Sequence, residues 1–201
     1  DGELDYIFGR DFHGRGQVRI SGGSIAPGTG NGLTAAGINL HLPWHWPVGG
    51  RGAEGGFSIA KAEINGWRGQ DIHGILIQED KTLRFSGTLL SVLEKIVLTF
   101  QGHYAPDAEG SLQADFAVLP VVLSAKTELQ PLHPLLSGMI GGGRFQAQGR
   151  IWAGNNSTGG SVVVKITNAD FEQPKEKIAL SGVNAEIRID NPTKLNAFTV
   201  G

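Results

Sequence analysis

Pro43-Trp44-His45-Trp46-Pro47 gathers the residue types in this chain best suited to holding a ligand. In an extended strand Trp44 and Trp46 fall on one face with His45 opposite. That spacing fits a stacking platform for a sugar or a lip for a lipid. Tryptophan also buries a large area while keeping an N–H for a partner, and proline stops a strand. The same five residues therefore read as an aromatic edge that closes a strand end, and Trp44 and Trp46 are carried forward in that role. His41 and His45 share no strand face with a third ligand, and a metal needs three or four converging donors. His13, His73, His103 and His133 each stand alone. Glu79 with Asp80, and Asp107 with Glu109, are neighbours in turn-like stretches beside lysine or proline, where solvated charge is the expectation. Neither has the character of the opposed carboxylates of a glycosidase. No G-x-S-x-G elbow is present, and the glycine-rich run GGSIAPGTGNG lacks both a phosphate-loop lysine and a following helix. With no cysteine, thiol chemistry and disulfides are excluded. No catalytic residue, metal ligand or cofactor is assigned, and the chain reads as something other than an enzyme.

Composition narrows the partners. A net charge of −2 with only 18% charged residues leaves no basic stripe for nucleic acid. No apolar run approaches the roughly 20 residues that a membrane-spanning helix needs, and no signal peptide is evident. The chain starts at Asp1 and stops at FTVG, just after a new segment begins. A piece of a longer protein is expected, with any anchor outside it.

The elements that would position these residues are strands. Thirty-one glycines mixed with β-branched residues favour many strands joined by tight turns. KTLRFSGTL places Leu83, Phe85, Gly87 and Leu89 on one face. GSLQADFAVL aligns Leu112, Ala114, Phe116 and Val118 against Gln113 and Asp115, and GRFQAQGRIWAG aligns Phe145, Ala147, Gly149 and Ile151 against Gln146, Gln148 and Arg150. VVLSAKTEL and NAEIRID repeat the pattern, the latter with Ala185, Ile187 and Ile189. One apolar and one polar face is the mark of antiparallel sheet with a wet side. About a dozen strands are expected. In FSIAKAEI the phase slips by one residue near Ile59 and Ala60, which a bulge or a crossing between two layers would explain equally. Only residues 131–140 and 88–96 resemble helices; the first is broken by Pro134, and the second reads also as two strands parted near Glu94 and Lys95. The expected fold is all-β: an elongated, curved, largely antiparallel sheet with a hydrophobic groove and at most one or two short helices. Residues 1–201 form one β-rich unit, with a sub-boundary near 120–141.

FSIAKAEINGWRGQDIHGILIQEDKTLRFSGTLLS, strands with glycines at the turns, resembles the repeated unit of AsmA-like and TamB-like bacterial envelope proteins. GGGRFQAQGRIWAG, GGSVVVKITNADFEQPKEKIALSGVNAEIRIDN and PTKLNAFTVG resemble the C-terminal part of the YdbH-like family, and GLTAAGINLHLPWHW is similar to the stretch expected upstream. The resemblance covers most of residues 30–201. It implies a protein anchored in the inner membrane through other segments and extending across the periplasm. Its curved sheet would carry phospholipid along an apolar groove, and an outer-membrane or periplasmic protein would be its partner. The family has also carried the label of a dicarboxylate transport domain, for which this chain has no suitable Arg/Lys cluster. On this reading Leu83, Phe85, Leu89, Leu112, Phe116, Val118, Phe145, Ile151 and Ile187 line the groove.

Three other expectations stand beside it. A carbohydrate-binding β-module would be a closed sandwich exposing Trp44, Trp46 or Trp67. A β-helical lyase would need a cleft of converging Asp, Lys or Arg. A scaffold would have the same sheet and no lipid.

Overall fold

The computed structural model describes residues 2–7, 13–26, 33–46, 54–64, 66–79, 81–91, 93, 96–106, 111–132, 134–154 and 158–190. Among them, eleven strands follow one another as β1 Gly2–Ile7, β2 His13–Ile25, β3 Leu33–Trp46, β4 Glu54–Ile64, β5 Trp67–Glu79, β6 Thr82–Ser91, β7 Val97–Ala105, β8 Ser111–Glu128, β9 Ile140–Ala153, β10 Thr158–Gln173 and β11 Ile178–Asp190. They form a single sheet in chain order from β1 to β11, every neighbour antiparallel. The order does not close on itself, so β1 and β11 are edges. The all-β, open, curved antiparallel sheet expected from the alternation is what the chain forms.

The strands are long because their alternation is rarely interrupted. Most exceed the usual five or six residues, and β8 has 18, roughly 60 Å of extended chain. The short helical pieces are single 3-10 turns at Pro134–Leu136 and Pro174–Glu176. The stretch 88–96 resolves as two strands: β6 ends at Ser91 and β7 starts at Val97.

The phase slip at Ile59 and Ala60 is a pleat interruption within one layer, not a crossing between layers. Ile38 pairs with Ile59 and Ala36 with Lys61, which sets Ala60 opposite Gly37, and a Cβ on Gly37 would lie 2.7 Å from that of Ala60. The interruption continues on β5, where Asp71 has φ 48 and the register to β6 shifts between Gln70 and His73. Gly22 (φ 66) and Gly37 (φ 67) extend it to β2 and β3. A second interruption crosses β9 to β11 through Gly143, Asn168 (φ 47) and Gly182 (φ 64).

The same local chemistry recurs in both interruptions. Asn39, two residues after Gly37, accepts from the Gly22 N–H (3.1 Å) and donates to the Gly37 carbonyl (3.3 Å). Asn184, two residues after Gly182, accepts from the Asn168 N–H (3.0 Å) and donates to the Gly182 carbonyl (3.0 Å). Asp170 completes that second set by accepting from the Gly182 N–H at 3.0 Å. On β5 the His73 ring, two residues after Asp71, hydrogen-bonds the Asp71 carbonyl at 3.0 Å. Gly-Ile-Asn, Asp-Ile-His and Gly-Val-Asn are thus one device: a left-handed residue frees backbone groups, and the side chain two positions on satisfies one of them. Each device lets a long strand change phase while its hydrophobic set stays on one face.

Candidate functional site: an uncovered apolar sheet face

Residues paired directly across an antiparallel ladder share a face, so the register carries that face from strand to strand. One row runs from β2 to β11 through Ile20, Leu40, Phe57, Gly74, Gly87, Phe100, Phe116, Gly149, Val162 and Ile189. None of its side chains is polar. Rows on either side read Leu76, Phe85, Gly102, Ala114, Ile151, Gly160 and Leu89, Leu98, Val118, Ala147, Val164, Ile187. Leu83 and Leu112 join through Tyr104, and Phe145 joins through Val121 and Ile166. All nine residues assigned to the groove therefore lie on one face, in rows that also contain Phe57, Phe100 and Leu76. Sequence reasoning left those three out because alternation within one strand does not say which neighbour continues it.

Phenylalanine and glycine are matched across strands. Phe57 pairs with Gly74, Phe100 with Gly87, Phe85 with Gly102 and Phe116 with Gly149. In each pair a Cβ on the glycine would sit 2.5–2.8 Å from the ring, so the ring lies down over its partner. Phe57 and Phe100 lean toward one another over the Gly74–Gly87 pair and bring their centroids to 6.2 Å from β4 and β7; Phe85 stands 6.4 Å from Phe100. A Cβ at Gly74 would also fall 2.2 Å from the Ser86 carbonyl oxygen, and one at Gly102 falls 2.2 Å from that of Gln113. The neighbouring strand thus rises toward the apolar side at these points. At these points only a residue without a side chain fits between the ring and the neighbouring strand.

That face has no second layer among the described residues. Extensive contacts join strands adjacent in the sheet, with a minor approach of β8 to β10. Fully buried large side chains are absent among these residues, and the buried apolar set is sparse and scattered: Ala35, Ile72, Leu76, Ala114, Leu123, Leu129 and Ala169. Total accessible surface is 13390 Å², against about 9,100 Å² expected of a compact 21.3 kDa chain. The excess is that of a chain spread in one layer rather than packed around a core.

Trp67 is 57% exposed at the start of β5. The backbone at Trp44 and Trp46 completes β3 opposite Gly16 and Gly14 of β2, and the side chains of this aromatic edge lie outside the described residues. His41 hydrogen-bonds Gln17 at 3.2 Å. No three metal-binding side chains converge among the described residues. No helix of the described residues is long and apolar enough to cross a membrane.

The opposite face is polar, and among the described residues it carries the cross-strand or near-neighbour ion pairs Arg68–Glu63, Arg84–Glu79, Arg150–Asp115 and Arg188–Glu186. Arg150 of β9 donates from Nε to Asp115 of β8 at 2.5 Å and from Nη2 at 3.3 Å. That bond holds the Asp115 carboxyl below its ordinary range, with the charges of Arg150 and His103 acting in the same sense, and raises Arg150 in turn. Because the folded value is depressed, the pair's contribution is present above the ordinary aspartate value of 3.8 and is lost as pH falls through the lower folded one. Arg150→Gln is expected to return the Asp115 titration, followed by carboxyl carbon NMR, toward that ordinary value. An unmoved midpoint would show that the hydrogen bond is not its cause. Both side chains are well exposed, so little stability rides on the pair.

No family model, no curated protein and no solved structure matches this chain.

Proposed function

We propose that this chain is a lipid-handling segment of a bacterial envelope protein, in which the apolar sheet face takes the acyl chains of phospholipid. The single observation that carries this reading is the row from Ile20 to Ile189, an apolar strip ten strands wide with no layer over it among the described residues. At about 4.8 Å per strand the strip measures roughly 43 Å along the sheet. Each methylene that leaves water on such a surface gains about 0.8 kcal/mol. An apolar surface of this extent requires a cover in water, and monomers rarely leave one bare. The resemblance to AsmA-like and YdbH-like proteins supports phospholipid as that cover. It also supports a periplasmic location, with an inner-membrane anchor supplied by other segments. A bridge protein of this kind passes lipid along the strip between membranes. The polar face, which carries the ion pairs, stands toward water.

Native mass spectrometry of the purified chain, with extraction and identification of bound lipid, tests the reading. Phospholipid retained through purification is the expected result. A lipid-free monomer that also fails to take up phospholipid from vesicles would overturn it. A lipid-free dimer would assign the face to a second copy and leave a scaffold.

A further inference from the structure

The connection from β8 to β9 closes one corner of the sheet. The Leu129 N–H donates to the Met139 carbonyl at 3.0 Å and adds a rung beyond the Glu128–Ile140 pair. Past that rung the chain turns back on itself. Backbone bonds run from Leu132 to Leu129 at 3.0 Å, from Ser137 to Pro134 at 3.1 Å and from Met139 to Leu136 at 3.0 Å. Residues 129–143 contain no Asp, Glu, Lys or Arg. Pro131, Leu132, Leu136 and Met139 are each half-buried.

This strap belongs to the apolar side. Phe171 pairs with Gly141 and Leu180, Gly141 pairs with Thr127, and the Phe171 ring stands 6.0 Å from that of Phe145. Two residues further toward the strand ends come Leu129, Met139, Gln173 and Ile178, which share that face. Leu129 ends its strand on an open face and is nevertheless only 6% exposed, so the strap that begins with it lies over it.

Gln173 of β10 holds the strap. Its Nε2 donates to the Ser137 carbonyl at 3.1 Å, while its Oε1 is buried with no hydrogen-bond partner among the described residues. A Cβ on Gly138, which has φ 74, would stand 3.0 Å from that oxygen, so the amide is tucked against a left-handed glycine. The closed strap gains one hydrogen bond and leaves one acceptor desolvated, and opening returns that acceptor to water. Two opposed terms of similar size make a catch rather than a permanent joint. We propose that the strap is a gate at this corner of the lipid face: Gln173 latches it, and release lets an acyl chain pass between strap and sheet over Leu129, Phe171 and Leu180. Leu180, 54% exposed on β11, and the uncharged run 129–143 supply an apolar way in. The role as a gate rests on the lipid reading; the latch stands on its own geometry.

The chain has no cysteine, so Leu129→Cys places a single reporter thiol under the strap. Its rate of reaction with a water-soluble disulfide reagent reads opening. Gln173→Glu cannot donate to the Ser137 carbonyl as a carboxylate and sets a charge against it, so labelling of Leu129→Cys should quicken about tenfold or more in that background. An exposed control, Val122→Cys, should label alike with and without Gln173→Glu. With Leu129 restored, Gln173→Glu should also take up fluorescent phosphatidylcholine from phosphatidylcholine vesicles faster, to an unchanged final amount. Gly138→Ala, strained at φ 74 and crowding Oε1, should speed uptake in the same sense and decides the matter should the cysteine variant misfold. Equal labelling with and without Gln173→Glu overturns the latch, and unchanged uptake in both Gln173→Glu and Gly138→Ala overturns the gate. A parent chain that takes up no phospholipid sinks the lipid reading and the gate with it, while labelling still decides the latch, so the two failures are distinguishable.

Discussion

Gly102→Val is expected to cost about 3 kcal/mol or more, enough to lower the urea midpoint of the whole sheet sharply. The added Cβ would stand 2.2 Å from the Gln113 carbonyl oxygen, 2.5 Å from Phe85 Cζ and 2.9 Å from Ala114 Cα. Two of those three atoms are backbone, so no rotamer change relieves the clash, and β7 and β8 must separate. Their separation breaks the apolar row that flanks the central one, where Phe85 lies over Gly102. Gly154 supplies the control: open space surrounds its Cβ position, and Gly154→Ala should stay within about 0.5 kcal/mol of the parent. Equal midpoints for Gly102→Val and the parent would show that the close approach at Gly102 is dispensable.

The second large effect concerns lipid. Phe116→Asp is expected to abolish phospholipid co-purification while leaving the strand content by circular dichroism intact. Phe116 sits in the central row between Phe100 and Gly149, its ring half-buried over the glycine. A carboxylate there cannot be covered by acyl chains without desolvation, which costs far more than a few methylenes return. Because the ring is only half-buried, the folded state loses a fraction of a full side-chain burial, about 1–2 kcal/mol. Val122→Asp is the matched control on the polar face, where Val122 pairs with Arg144 and is exposed; it should keep its lipid. An unfolded Phe116→Asp protein would mean that a second layer seals this face. A folded one with full lipid content would move the lipid elsewhere.

Much of this architecture was legible in the residues. KTLRFSGTL, GSLQADFAVL and GRFQAQGRIWAG alternate without interruption, and β6, β8 as far as Val118 and the outer half of β9 keep the assigned faces; beyond Val118 the register of β8 to β9 shifts twice. The slip at Ile59 and Ala60 was also legible as a slip. Its cause was not, since a bulge and a change of layer leave the same trace in one strand; the partners Gly37 and Asp71, distant in sequence, distinguish them. Asn39 and Asn184 read as ordinary strand polar residues until the left-handed glycines two positions earlier are known.

The sequence alone determined the strands, their two-sided character and the identity of the apolar side, because side-chain direction in an extended chain has a period of two and needs no partner to be read. It also excluded thiol chemistry and left no basic footprint, which composition suffices to show. The tertiary structure decided that the strands lie in one open layer in chain order and that phenylalanines rest on glycines of the next strand. Those depend on pairing register between segments tens of residues apart, where a one-residue shift turns every side chain over. No local pattern contains that information.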